Sequence, residues 1–232
     1  MTQHSKIASL GPIADAIRDF RPQPQLEWDD KAQCYVEVSA TSERELGGVG
    51  PMTKIIQERI PKSKFSDFRF LPRKIISGGQ TGADQGALAA ARELGRETGG
   101  WMPEGFRTDE GPRPDLASEY DLSESNNRGY KDRTRTNVVI SKGTLIFGNP
   151  DSPGCRLTRE YVERYYKKLF LIGWTSGKAD PPEYKQEDFR DWLHYYRIET
   201  LNVAGNRERT QPGIFEATKR FIMASLQAPP CP

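Results

Sequence analysis

Residues 74–88, KIISGGQTGADQGAL, decide the fold. Two isoleucines and a serine end a short apolar run, and three glycines follow within five residues. An alanine- and leucine-rich segment then takes over. The order reads as strand, glycine-rich loop and helix start. Gly78, Gly79 and Gly82 are free to take positive φ and carry no Cβ, so successive backbone N–H groups can converge on an anion. The helix that follows adds its N-terminal dipole and unpaired amides. Ser77 and Thr81 offer hydroxyls, Gln80 an amide, and Asp84 falls in the first helical turn. The spacing is neither that of a Walker loop, which needs Gly-Lys-Ser/Thr, nor the GxGxxG dinucleotide fingerprint. The bland alternative is a tight strand-to-helix turn with no ligand. Three glycines with two hydroxyls exceed what a turn needs, and the loop is read as the binding site of a phosphate-bearing molecule.

Downstream, strands and helices alternate. The patterns predict a strand at 73–77, a helix over about 84–95, short strands at 137–141 (NVVIS) and 144–148 (TLIFG), and a helix over about 157–167. A strand at 168–173 (KLFLIG), a helix at 186–196, a strand at 199–204 and a helix at 212–226 complete the series. The glycine- and proline-rich stretch 95–115 shows no periodicity. Short apolar strands alternating with helices imply an α/β protein with a mainly parallel sheet covered on both faces. Ligands of such sheets bind beyond the carboxyl ends of the strands. Residues just after strands therefore carry the functional expectation, Arg207 after the last strand among them.

The 232 residues suffice for one sizeable α/β domain and an appendage. We expect an N-terminal extension or cap at 1–72, a ligand-binding domain at 73–227 and a tail at 228–232. In the extension, 7–20 has broken helical spacing, 26–38 reads as a β-hairpin turning at 29–32, 47–51 (GGVGP) is a loop, and 52–60 is a short helix. Lys and Arg total 34 against 32 Asp and Glu, a net charge of +2 that demands no nucleic-acid partner. No apolar run reaches the roughly 20 residues of a membrane span. The N-terminus lacks a signal-peptide layout. Cys34, Cys155 and Cys231 are sparse and unspaced, which signals neither a zinc site nor a disulfide framework. The expectation is a cytoplasmic protein without membrane or nucleic-acid partners and with no structural metal.

The resemblance to a known family rests on ordered motifs: ISGGQTGADQGAL, GGWMPEG, YDLSE at 120–124, RTRTNV, TLIFG, LNVAGNRE and PGI. In this order they resemble the molybdenum carrier family, over about 73–226. That family is similar to molybdenum-cofactor carrier proteins, within a Rossmann-like superfamily that includes the lonely-guy phosphoribohydrolases. The resemblance implies a Rossmann-like three-layer sandwich, a homo-oligomer (dimer or tetramer), and a bound molybdenum cofactor or nucleotide-like ligand. It carries binding roles onto Gly78, Gly79, Thr81, Gly82 and Asp84. It adds Trp101 as a stacking surface for a flat ring, and Arg133, Thr134 and Asn137 as contacts to phosphate or a ring edge. The family's second loop, GGTxxT, is replaced here by GCRLT. Gly154 and Thr158 fit that pattern, while Cys155 and Arg156 depart from it. Arg156 is a candidate phosphate contact through its guanidinium fork, and Cys155 a small buried residue. The phosphoribohydrolase signature PGGxGTxxE is broken in PGCRLTRE, which misses two glycines and places Glu160 one residue early. A nucleotide N-glycosidase stays as the alternative function, and a nucleotide-sensing module as a further one; whether the chain is an enzyme is left open, on the side of no.

Other candidates have plain readings. The acidic stretch 109–124 (Asp109, Glu110, Asp115, Glu119, Asp121 and Glu124) offers paired carboxylates but reads as a solvated loop. His194 reads as a helix-surface residue with no second histidine nearby. The basic cluster Arg156, Arg159, Arg164, Lys167 and Lys168 reads as a solvated helix face, and Arg128, Lys131, Arg133 and Arg135 form a second one.

Overall fold

The computed structural model describes residues 70–126 and 129–227, together with the backbone of two strands further upstream. Those strands, β1 (Gln25–Asp29) and β2 (Cys34–Val38), pair antiparallel in the hairpin expected there. Of the turn expected at 29–32, Asp29 is the last residue of β1; the rest of it, the helices at 7–20 and 52–60, the loop at 47–51, Arg128 and the tail lie outside the described residues. Two compact units divide the chain, and the hairpin belongs to the one spanning 21–68.

The other unit holds a six-stranded, all-parallel sheet. Its strands are β3 (Lys74–Ser77), β4 (Glu97–Met102), β7 (Leu122–Glu124), β8 (Gly143–Gly148), β9 (Lys168–Gly173) and β10 (Thr200–Gly205), in the order β7-β4-β3-β10-β8-β9. A two-strand hairpin, β5 (Arg107–Thr108) and β6 (Gly111–Pro112), projects after β4. The helices are α1 (Ala83–Glu93), α2 (Asp115–Tyr120), α3 (Tyr130–Ile140), α4 (Pro153–Arg164), α5 (Glu183–Tyr195) and α6 (Ile214–Leu226). Helix α1 packs along α6, and α6 along α5, while α3 packs along α4. The result is a three-layer α/β sandwich.

The last strand, β10, lies between β3 and β8, so the first and last βα units of the sheet are neighbours. Burial explains this centrality: Leu201, Val203, Ile75, Leu145 and Phe147 are all fully buried. On one flank Phe147, Phe170, Phe189, Trp192 and Phe221 form an aromatic cluster of tilted pairs and one stacked pair, with centroids 5.1 to 5.9 Å apart along its chain of contacts. Aromatic pairs at such distances add to what area burial alone contributes. On the other flank Leu88, Met102, Leu116, Tyr120 and Leu122 form a second cluster, with Phe106 packed against it.

Two sequence expectations are corrected. Residues 137–140 are not a strand but the last turn of α3. The β-branched run Val138–Val139 suggested a strand, but Thr134, Thr136, Asn137, Val138 and Val139 are all buried between β4 and α4, and packing overrides weak propensity. The stretch 95–115 is not structureless, since it holds β4 and the β5–β6 hairpin. Strand β4 is hidden in the sequence because it is built on glycine. Gly100 has φ +126, and a Cβ there would meet the Ser77 carbonyl oxygen at 2.0 Å. The adjacent strand approaches too closely for any side chain. The acidic stretch likewise contains α2 and β7.

Candidate functional site

The β3–α1 loop and the β10–α6 loop emerge side by side at the carboxyl edge of the sheet, with α3 and α4 opposite. Between them lies a cavity of about 620 Å³. Gly78, Gln80 and Asp84 line it from the first loop, and Asn202, Ala204, Gly205 and Arg207 from β10 and beyond. Helix α3 contributes Tyr130, Lys131, Asp132, Arg133, Thr134 and Asn137, and α4 contributes Pro153, Gly154, Leu157 and Thr158. Its volume falls within the range of small-molecule sites.

The glycines of the first loop have separate tasks. Gly79 (φ +66) backs onto Met102, whose Sδ would lie 2.8 Å from an added Cβ, so that face belongs to the core. Gly82 (φ +91) lies against the backbone of Asn206 to Glu208. The amide of Ala83 donates to the Asn206 carbonyl at 3.1 Å, which ties the start of α1 to the β10–α6 loop. Only Gly78 faces the guanidinium of Arg133.

The acidic group that the loop holds is the protein's own. Asp84 is buried, and its Oδ2 accepts from the Gln80 amide at 3.3 Å and faces Arg133 Nη1 at 3.3 Å. Burial raises its carboxyl pKa above the ordinary value, and the positive charge of Arg133 opposes that rise. Arg133 is itself largely enclosed, with its Nε buried and lacking a hydrogen-bond partner among the described residues. A second guanidinium stands nearby. Arg207 Nη1 pairs with Asp109 at 2.6 Å, at the tip of the β5–β6 hairpin. Both guanidiniums lie over the ring of Tyr130, at 5.6 Å and 5.2 Å from its centroid.

Several expected contacts have other partners here. The Ser77 hydroxyl donates to the Val203 carbonyl at 2.6 Å, joining β3 to β10. The Asn137 side chain spans the backbone of Trp101, accepting from its amide at 2.9 Å and donating to its carbonyl at 3.1 Å. Trp101 is half-buried in β4 and does not line the cavity. The hydroxyl of Thr134 donates to the Tyr130 carbonyl at 2.7 Å, and that of Thr158 to the Gly154 carbonyl at 3.1 Å. Thr81 is buried against Gln80, whose Oε1 accepts both the Thr81 amide and the Asp109 amide at 2.9 Å. Arg156 and Glu160 are exposed on α4, outside the cavity lining. Cys155 is buried and free, and burial pushes its thiol pKa up. The amide of Phe70 donates to His194 Nδ1 at 3.0 Å.

Tyr130, Asn202 and Asp109 were not singled out as binding residues from the sequence. Tyr130 stands three residues before Arg133, a relation visible only once 130–140 is known to be helical. Asp109 reaches Arg207 across 98 residues of chain, and no local pattern encodes that meeting. Most of the remaining acidic stretch is surface: Asp115 pairs with Arg113, and Glu119 with Arg92.

An all-parallel sheet, helices on both faces and a cavity at the switch between β3 and β10 define a Rossmann-like α/β domain. The chain belongs to the circularly permutated YpsA SLOG family, whose profile matches residues 75–226. Among solved structures it is similar to a protein from Syntrophus aciditrophicus SB that carries the provisional name of molybdenum carrier protein. The two share 34% sequence identity and a TM-score of 0.63, over 69% of this chain and 98% of that one. No curated protein matches it. Among the described residues no helix is long and apolar enough to cross a membrane.

Proposed function

We propose that this chain carries a phosphate-bearing pterin or nucleotide-like molecule in the cavity between α1, α3, α4 and β10. The observation that carries this reading is the pair of guanidiniums, Arg133 and Arg207, lining one cavity and sharing one aromatic ring. Guanidinium binds phosphate oxygens in a bidentate fork. The start of α4, at Pro153 and Gly154, also lines the cavity, and its first turn holds no acidic residue. Its partial positive charge favours an anion. The glycine loop acts one step removed, because Asp84 already meets its amide and Gly78 leaves room for Arg133.

The name of the Syntrophus protein supports molybdenum cofactor as cargo. The residues fit its phosphate: Arg133, Arg207 and Lys131 would hold that end, with the Tyr130 ring against both guanidiniums. No cluster of three or more His, Cys, Asp or Glu suited to a metal ion occurs among the described residues. The protein would grip its cargo by the phosphate end, through these cavity-lining cations.

Thermal-shift titration with molybdenum cofactor, pyrophosphate and a series of nucleoside monophosphates tests the reading. Stabilisation by a phosphate-bearing member is expected, and no shift with any of them overturns it.

One observation favours a second reading. Asp84 is a cavity-lining carboxyl with a raised pKa, the property of a general acid or base. A nucleotide N-glycosidase would use it as water cleaves the N-glycosidic bond, releasing free base and ribose 5-phosphate. Chromatographic detection of free base, lost in Asp84→Asn, would replace the carrier reading with this one.

A further inference from the structure

We propose that Asp109 is the protein's own anion on Arg207, and that an anionic ligand displaces it and so releases the β5–β6 hairpin. The inference rests on the reading that a phosphate-bearing ligand enters this cavity, and it adds how that entry is regulated.

The two cavity guanidiniums are each met by a carboxylate, but the carboxylates are mounted differently. Asp84 sits in the first turn of α1, an eleven-residue helix packed on the sheet. Asp109 sits at the tip of a hairpin whose strands are two residues each. Two hydrogen bonds link that tip to the site: Arg207 Nη1 donates to Asp109 Oδ1 at 2.6 Å, and the Asp109 amide donates to Gln80 Oε1 at 2.9 Å. The second carboxylate oxygen of Asp109 is buried and, among the described residues, accepts no hydrogen bond and has a long 3.5 Å contact with Arg209. Asp109 is thus 88% enclosed, yet one half of its carboxylate is poorly used.

A phosphate dianion reaching Arg207 competes for the same N–H groups with more charge and more acceptor oxygens. When it wins, Asp109 keeps its amide link to Gln80 and the long, exposed contact with Arg209. The base of the hairpin stays anchored, because Phe106 packs on the Met102 cluster and its carbonyl accepts the Arg113 amide at 2.9 Å. The moving part is therefore the tip at 107–112. The same exchange makes Asp109 a selectivity element, since a ligand too weakly charged to displace it gains nothing from Arg207.

Calorimetric titration with pyrophosphate, and hydrogen exchange over 106–113 with and without it, test the proposal. Wild type, Asp109→Asn and Glu110→Gln are compared. Asp109→Asn should bind pyrophosphate roughly fivefold more tightly, the scale of one partly exposed ion pair. Without ligand, its hairpin should exchange as fast as that of pyrophosphate-saturated wild type. Glu110→Gln should match wild type in both. If wild type binds pyrophosphate while Asp109→Asn binds equally well and the hairpin exchanges no faster, the displacement is overturned and the cavity reading stands. If neither pyrophosphate nor any nucleoside monophosphate binds to wild type or variant, the cavity reading falls and the displacement with it.

Discussion

The Nη1 of Arg133 stands 1.3 Å from where a Cβ on Gly78 would lie, so the missing side chain of one residue is the seat of the other's charge. The same imaginary Cβ would lie 2.9 Å from Asp84 Oδ2. Gly78, Arg133 and Asp84 therefore form one unit, contributed by a loop, a helix on one face and a helix on the other.

Replacing Gly78 by alanine should evict the guanidinium, because the far end of an arginine moves more easily than a strand-end backbone. Asp84 then loses its charge partner, at a cost of about 1–3 kcal/mol. Urea unfolding should show a folded, weakened protein with a reduced response to pyrophosphate. An unchanged response would mean that Arg133 does not need this seat. Gly79→Val should instead damage folding, since it strains a positive φ and strikes Met102.

Asp84 predicts a signed pH effect. Its folded pKa lies above the ordinary 3.8, so the native state holds that proton more tightly than the unfolded chain. Its contribution is fully present below about pH 4 and is lost as pH rises through the folded pKa. Asp84→Asn removes this dependence, so the variant should gain on wild type as pH rises from about 4 through the folded pKa of Asp84. Urea midpoints across that range measure the difference. A difference that stays flat or shrinks would contradict the raised pKa.

Two of the three arginines of the expected site, Arg133 and Arg156, should separate. Arg133→Gln should weaken pyrophosphate binding about tenfold or more, as expected for a charge-assisted contact in an enclosed site. Arg156→Ala, at an exposed position outside the cavity lining, should change it less than about twofold. Calorimetry of both variants is the check, and equal losses would return α4's outer face to the site.

Cys155 should be chemically silent in the folded protein. In a Cys34→Ser, Cys231→Ser background, its reaction with a thiol reagent should be at least about a hundredfold slower natively than in urea, because the thiol is buried and its pKa raised. Comparable rates would place it on an accessible wall.

Much of the architecture was legible because it is local. The isoleucines and glycines of residues 74–88, the apolar runs TLIFG and KLFLIG, and the helical spacing of Phe189, Trp192 and Leu193 each repeat with the period of the element they form. Strand β4 is hidden because its Gly100 answers to the Ser77 backbone of the next strand, and the end of α3 because burial outweighed the β-branched Val138 and Val139. The ordered motifs were enough to indicate the family.

By itself, then, the sequence determined the α/β class, the family and the residues at strand ends, all of which depend on short-range periodicity and motif order. Tertiary structure alone decided what those residues do to one another. It turned Gly79 toward the core and Gly78 toward Arg133, clamped Asn137 on Trp101, and left Arg156 outside. It also brought Asp109 to Arg207. Charge pairing and burial act through space, and the two charge pairs of the cavity join residues 49 and 98 positions apart along the chain.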